Sequence, residues 1–225
     1  MSWKGEIQRN LEGLTADFIG RSPFFRFWDS DSVNRETSRR FLLSFDSLVK
    51  SFPSLIAAGA ARMEDEESRV VLAVNLFQEC GEGDVRRTHH AIYRKFLETS
   101  CFGTPIEEND FAVEWKKNLE DYIQAQNSKA VLGVLAAGEF LAQPALNRIY
   151  GILKAHYPQA DQEYFTHHLV LEGEHVKEIT DILARNAPDD ASFREVVSGF
   201  SYGLSVWGRY FERLTDYLST KVSAV

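Results

Sequence analysis

His168, Glu172 and His175 stand at positions i, i+4 and i+7 of the stretch from Asp161 to Asn186. At about 100° per residue these three fall within roughly 60° of one another on a helix, so two imidazoles and a carboxylate project from one face. Phe165, Leu169, Val176, Ile179 and Leu183 form an apolar stripe at helical spacing. The trio falls on or beside that stripe, which turns it toward the interior. A buried carboxylate without a positive partner is strongly destabilising. A divalent metal held by the trio would satisfy it; a core glutamate hydrogen-bonded to one histidine would do so too.

The same reasoning applies to Glu139, the only formally charged residue from Ala130 to Asn147. Either an arginine such as Arg148 meets it, or it is a further metal ligand. A third cluster lies in NLFQECGEGDVRRTHHAIYRKFL, where Glu79 ends an apolar helical run and His89 or His90 begins the next. Gly81 and Gly83 let both ends turn toward one centre. In an unbroken helix Glu79 would align with His90 and Glu82 with His89, so spacing leaves the histidine open. A plain tight turn fits the glycines equally well. Cys80, beside Glu79, is expected to be an ordinary buried free cysteine.

The elements that must position these groups read as helices throughout. Residues 4–19 form a first helix, and Gly20 to Ser32 an irregular link carrying Phe24, Phe25, Phe27 and Trp28. A second helix begins at Ser32 or Asn34 and runs to Met63 with Pro53 kinking it. The pattern from Asp65 is broken at the glycines and resumes to Ser100; further helices cover 107–126, 129–157 with a bend at Pro144, 161–186 and 189–219. No strand, repeat or low-complexity segment is expected, and residues 1–225 read as one domain.

The net charge is −8 without a basic run, which disfavours nucleic acid and anionic membrane surfaces as partners. No uninterrupted apolar run approaches the roughly 18 residues of a membrane span, and the opening MSWKGE carries no apolar leader. Two cysteines, Cys80 and Cys101, make neither a disulfide framework nor a zinc motif. Together these features lead to the expectation of a cytoplasmic protein with no membrane contact.

Asn75 to Glu79 as N-L-x-x-E followed by glycine and histidine, the lone Glu139 in a small-residue helix, and Y-F-T-H-H-x3-E-x2-H from Tyr164 to His175 occur in that order. Over residues 20 to 185 this resembles the haem-oxygenase-like diiron oxidases. The resemblance implies an all-α, single-domain haem-oxygenase-like bundle of about seven helices. It implies six ligands for two Fe(II) ions that activate O2, with Mn possible. Glu79 matches the first carboxylate. His89 matches the first histidine, because Ile92, Tyr93 and Phe96 after it match the family's apolar positions. Glu139 matches the carboxylate of the central helix, and His168, Glu172 and His175 match the last ligand motif, in which aspartate is frequent where Glu172 stands. His90, His167, Glu82 and Glu174 are left outside.

The implied activity is oxidation or oxygenation of a small organic substrate, an amino acid by preference, through C–C cleavage, decarboxylation or N-oxygenation in natural-product metabolism. Homodimers are frequent among family members. One branch of the family makes p-aminobenzoate from its own tyrosine; the matching position here is Phe25, so a diffusible substrate is expected. Its pocket should lie between the ligand helices and the second and last helices, walled by Phe41, Phe45, Phe52, Phe200, Tyr202, Trp207 and Phe211. The alternatives are a non-catalytic helical binding protein, in which the inward polar groups pair among themselves, and a thiaminase-like or cofactor-synthesis relative of the same fold without a diiron site.

Overall fold

The computed structural model describes residues 2–100 and 109–220, apart from the side chain of Glu172. Among these residues the chain forms α1 (Trp3–Arg21), α2 (Pro23–Trp28), α3 (Arg35–Arg62), α4 (Glu66–Glu79), α5 (His89–Thr99), α6 (Asp110–Ala125), α7 (Ser128–His156), α8 (Glu163–Asn186) and α9 (Asp190–Ser219), with no strand. The count exceeds seven for two reasons. The expected irregular link contains α2, whose first residue Pro23 has the backbone angle a helix start needs and no N–H to leave unpaired. The broken third element is two helices, joined by short 3-10 turns at Gly81–Gly83 and Val85–Arg87.

Seven helix starts are fixed by side chains of the types that favour that position. Ser2, Asn34, Asp65, Thr88, Asn109, Asn127 and Asp189 each accept a hydrogen bond from the backbone N–H three residues on. Both α3 and α7 continue past their internal prolines, Pro53 and Pro144. Among the described residues these are also the two helices that by length and composition are apolar enough to cross a membrane, although polar residues interrupt each apolar run. Their apolar stretches are 56% and 78% buried inside the bundle, as core helices are.

Helix α7 is the hub, packed on α9 along its length and on α8 and α3 at its other sides. The α7–α9 approach is backbone to backbone. A Cβ on Gly133 would stand 2.1 Å from the Val196 carbonyl oxygen, and one on Gly199 would stand 2.0 Å from that of Ala130. Around this seam Phe200, Trp207, Phe211 and Leu214 of α9 face inward, as their spacing predicts. Phe24 of α2 stacks on Phe211 with ring centroids 4.3 Å apart, which docks the short helix on the bundle.

Because the blocking atoms at Gly199 are backbone and cannot rotate aside, Gly199→Ala should cost at least about 2 kcal/mol. Gly13→Ala, at an open helical position with nothing within 4 Å, should be neutral or stabilising by up to about 1 kcal/mol. Urea denaturation of the two variants checks the pair.

Candidate metal centre

The break between α4 and α5 folds Glu79 and His89 against each other. Gly81 has φ +71°, and a Cβ there would lie 2.5 Å from backbone atoms of Arg87 and Thr88. The turn therefore packs directly on the chain just before His89. The Thr88 hydroxyl then accepts from the Ala91 N–H at 3.1 Å and starts α5, which makes His89 its first residue and brings its ring back over the end of α4. Glu79 Oε2 lies 2.8 Å from His89 Nδ1.

Helix α8 completes this group with His168. Ligand atoms of Glu79, His89 and His168 all lie within 4.8 Å of one another, and all three residues are buried. His168 Nδ1 is 2.7 Å from the Tyr164 carbonyl oxygen one turn back. Only an N–H can satisfy that acceptor, so the proton sits on Nδ1 and the lone pair on Nε2. Both ring nitrogens of His89 lack a hydrogen bond of good geometry, despite the short contact with Glu79. A 1%-exposed imidazole with two open nitrogens beside a buried carboxylate and a second imidazole has the donor set a divalent iron or manganese ion takes.

Glu139 and His175 form a second group. Glu139 Oε2 lies 3.4 Å from His175 Nδ1, and its Oε1 accepts from Asn75 Nδ2 at 3.2 Å. His175 Nε2 is 3.1 Å from Gln78 Oε1. Arg148 is not the partner of Glu139; it reaches Asp29 at 3.3 Å and lies over the Phe25 ring. The sixth expected residue, Glu172, lies on α8 one turn from each of His168 and His175, and its side chain falls outside the described residues. His90 is drawn away to Asp46, with Nε2 and Oδ1 3.1 Å apart, so of the two histidines it is His89 that joins Glu79.

Asn75 was noted only as the start of the N-L-x-x-E motif, and neither its hydrogen bond to Glu139 nor the place of Gln78 beside His175 was anticipated. Ser68, Leu72, Asn75 and Glu79 are the buried positions of α4. The signal was a helix whose inward spacing carries an amide one turn before a carboxylate. Cys80 is a correction: it is exposed, not buried, because it caps α4 where the chain turns outward into the glycine turn. Cys101 lies outside the described residues.

The two groups differ electrostatically. Burial, and then the neighbouring His89, push His168 down to about 3, so it is neutral. Burial also opposes charge on His175, but the hydrogen bond and charge of Glu139 outweigh it and raise its pKa.

An apolar pocket with about 720 Å³ of empty volume, counting its mouth, ends at the first group. Its walls include Phe41, Phe45, Phe52, Trp207 and Phe211, as expected, and the candidate ligands among its lining residues are Glu79 and His168. Phe200 and Tyr202 are not among its lining residues: Phe200 packs on Phe140, and Tyr202 stacks on Tyr122. Phe25 is buried but faces Phe18 and Phe211, while Phe24 takes the place at the wall.

The sequence model of a family described as iron-containing redox enzyme matches residues 39–208. No curated protein matches the chain. Among solved structures, a CADD-like protein of unknown function from Nostoc punctiforme superposes with a TM-score of 0.81 at 15% identity, over 96% of this chain and 99% of that one. A domain of unknown function with a heme oxygenase-like fold from Shewanella denitrificans gives 0.74 at 11%, over 95% and 92%. A TenA homologue from Pseudomonas syringae gives 0.69 at 11%, over 96% and 93%. At these identities the likeness establishes the haem-oxygenase-like fold.

The depressed His168 sets an acid limit on the metal-free protein. Its folded value of about 3 lies below the 6.5 of a free imidazole, so below about pH 6.5 the unfolded chain gains a proton that the folded chain refuses, and stability falls as pH falls toward 3. His175, raised, runs the other way: its contribution is full below about pH 6.5 and is lost as pH rises above that, so near neutrality it offsets part of the loss. Between pH 7.5 and pH 5 the loss should be on the order of 1–2 kcal/mol. Denaturant midpoints across that interval measure it, and His168→Gln should flatten the slope.

Proposed function

Because the chain belongs to the iron-containing redox enzyme family, we propose that it is an O2-dependent non-haem diiron oxidase or oxygenase acting on a small organic substrate. The observation that carries this reading is an apolar pocket ending at Glu79 and His168, two members of a buried three-residue group whose third, His89, has both ring nitrogens open. One iron would be held by Glu79, His89 and His168, and the other by Glu139 and His175 with Glu172. Bound there, the irons supply the electrons that reduce O2, chemistry no side chain provides.

The chain's own contribution is placement and exclusion of water. The Tyr164 carbonyl fixes the His168 tautomer, and Asn75 orients the Glu139 carboxylate while Gln78 holds the far side of His175. Phe24, Phe41, Phe45, Phe52 and Phe211 wall the pocket. Outside Glu79 and the neutral His168, the described residues of those walls offer no ionisable carboxylate, lysine or arginine, so a substrate binds with its polar head at the metals and an aromatic or long aliphatic side chain against the phenylalanines. An amino acid fits this, because its amine and carboxylate can both ligate iron, and we retain it as the preferred class. Phe25 carries no hydroxyl to serve as a self-derived precursor, which supports a diffusible substrate.

Elemental analysis after anaerobic Fe(II) loading should give about two irons per chain, with Mn(II) competing. Glu139→Ala, His168→Ala and His175→Ala should each lower the iron content with helicity unchanged by circular dichroism, whereas His90→Ala should retain it. Intact mass should be constant through turnover. A wild-type protein that ignores Fe(II) would instead favour the metal-free alternatives, a binding protein or a thiaminase-like relative.

A further inference from the structure

Among the described residues, two cavities lie against the candidate centre. The first is the apolar pocket, through which a hydrated dication would have to pass along phenylalanine rings with nothing to replace its lost water. The second is a polar recess of about 340 Å³ lined by Gln78, Gly81, Glu82, Arg87, His167 and Leu171. Gln78 and His167 immediately precede Glu79 and His168, and consecutive helical side chains point about 100° apart, so the recess opens on a different face of the α4–α8 pair. One layer separates it from the candidate ligands: Gln78 Oε1 is 3.1 Å from His175 Nε2, and the His167 ring meets the His89 ring edge-on at 5.4 Å between centroids.

Glu82 is the unusual residue of this recess. It sits at φ 53°, ψ 33°, between two glycines that also have positive φ. A side chain in that conformation costs about 1 kcal/mol relative to glycine. The chain thus holds an exposed carboxylate at a position where its backbone favours none. We propose that this recess is the port by which metal ions reach the centre, with the Glu82 carboxylate and the His167 imidazole as transient ligands that replace water before the ion passes to His89 and His175. The proposal rests on the metal-centre reading above. Arg87 stands at the same opening and opposes an approaching cation.

The test is the rate at which the full-length metal-free protein takes up Co(II), followed anaerobically by its absorption bands, with the end point fixed by elemental analysis. Glu82→Gln and His167→Phe should each slow uptake by about tenfold and reach the wild-type end point, whereas Arg87→Ala should accelerate it. Glu82→Gly should slow uptake as much as Glu82→Gln with no loss of thermal stability, which separates the carboxylate's role from any effect on the turn. Wild-type rates in Glu82→Gln and His167→Phe, with a full end point, would overturn the port and leave the centre standing. A wild-type end point near zero would overturn both.

Discussion

Two carboxylates, Glu79 and Glu139, lie in the interior of a helical bundle, each only 6% exposed. Burying them carries a desolvation cost, and the surrounding structure answers it in two ways. Glu139 is met by an amide and by a histidine whose proton affinity it raises, so that half can balance its charge with a proton. Glu79 is met by His168, which burial keeps neutral, and by His89, which makes no proper hydrogen bond. A cation is therefore wanted more at Glu79 than at Glu139. The asymmetry is physical: Glu139 can share a proton with His175, and Glu79 has no such partner of good geometry.

What brings four separate helices to this point is the closeness of α7 to α9. With glycines at 133 and 199 the two backbones touch, which leaves room on the other flank of α7 for α8 and α3. Gly138, beside Glu139, continues the theme at the pocket wall, where a Cβ would be 3.5 Å from Phe52 and 3.8 Å from the Trp207 indole nitrogen. Small residues, Gly133 and Gly138 on α7 and Gly199 on α9, thus set the seam of the bundle and the width of its cavity.

Much of this was legible because burial leaves a periodic trace. The stripe on α8 points His168 and His175 inward from sequence alone, and both are buried. The emptiness of α7 around Glu139 marks a core helix with a misplaced charge. Other features left no such trace. Whether His89 or His90 faces Glu79 depends on three consecutive positive φ angles at Gly81, Glu82 and Gly83, which no periodicity encodes. Helix α2 was missed because six residues are too few to show a helical period. Phe200 shares the inner spacing of α9 with Trp207 and Phe211, yet a helix turns through the core and the cavity in succession, and spacing alone does not separate the two. Tyr202 lies about 200° round the helix from Phe200, off that face.

The glycine turn also bears on how the chain reaches this arrangement. Glu79 and His89 are joined by about ten residues of chain, whereas Glu139 and His175 must meet across more than three times that length. Closing the longer segment costs about 1 kcal/mol more in chain entropy, and it requires α7 and α8 to have docked. The Glu79 half is therefore a local structure, with its geometry set by a turn and a cap, while the Glu139 half is a product of the assembled bundle. The first half can thus be closed at a lower entropic cost than the second, and only His168 on α8 must reach it from a distance.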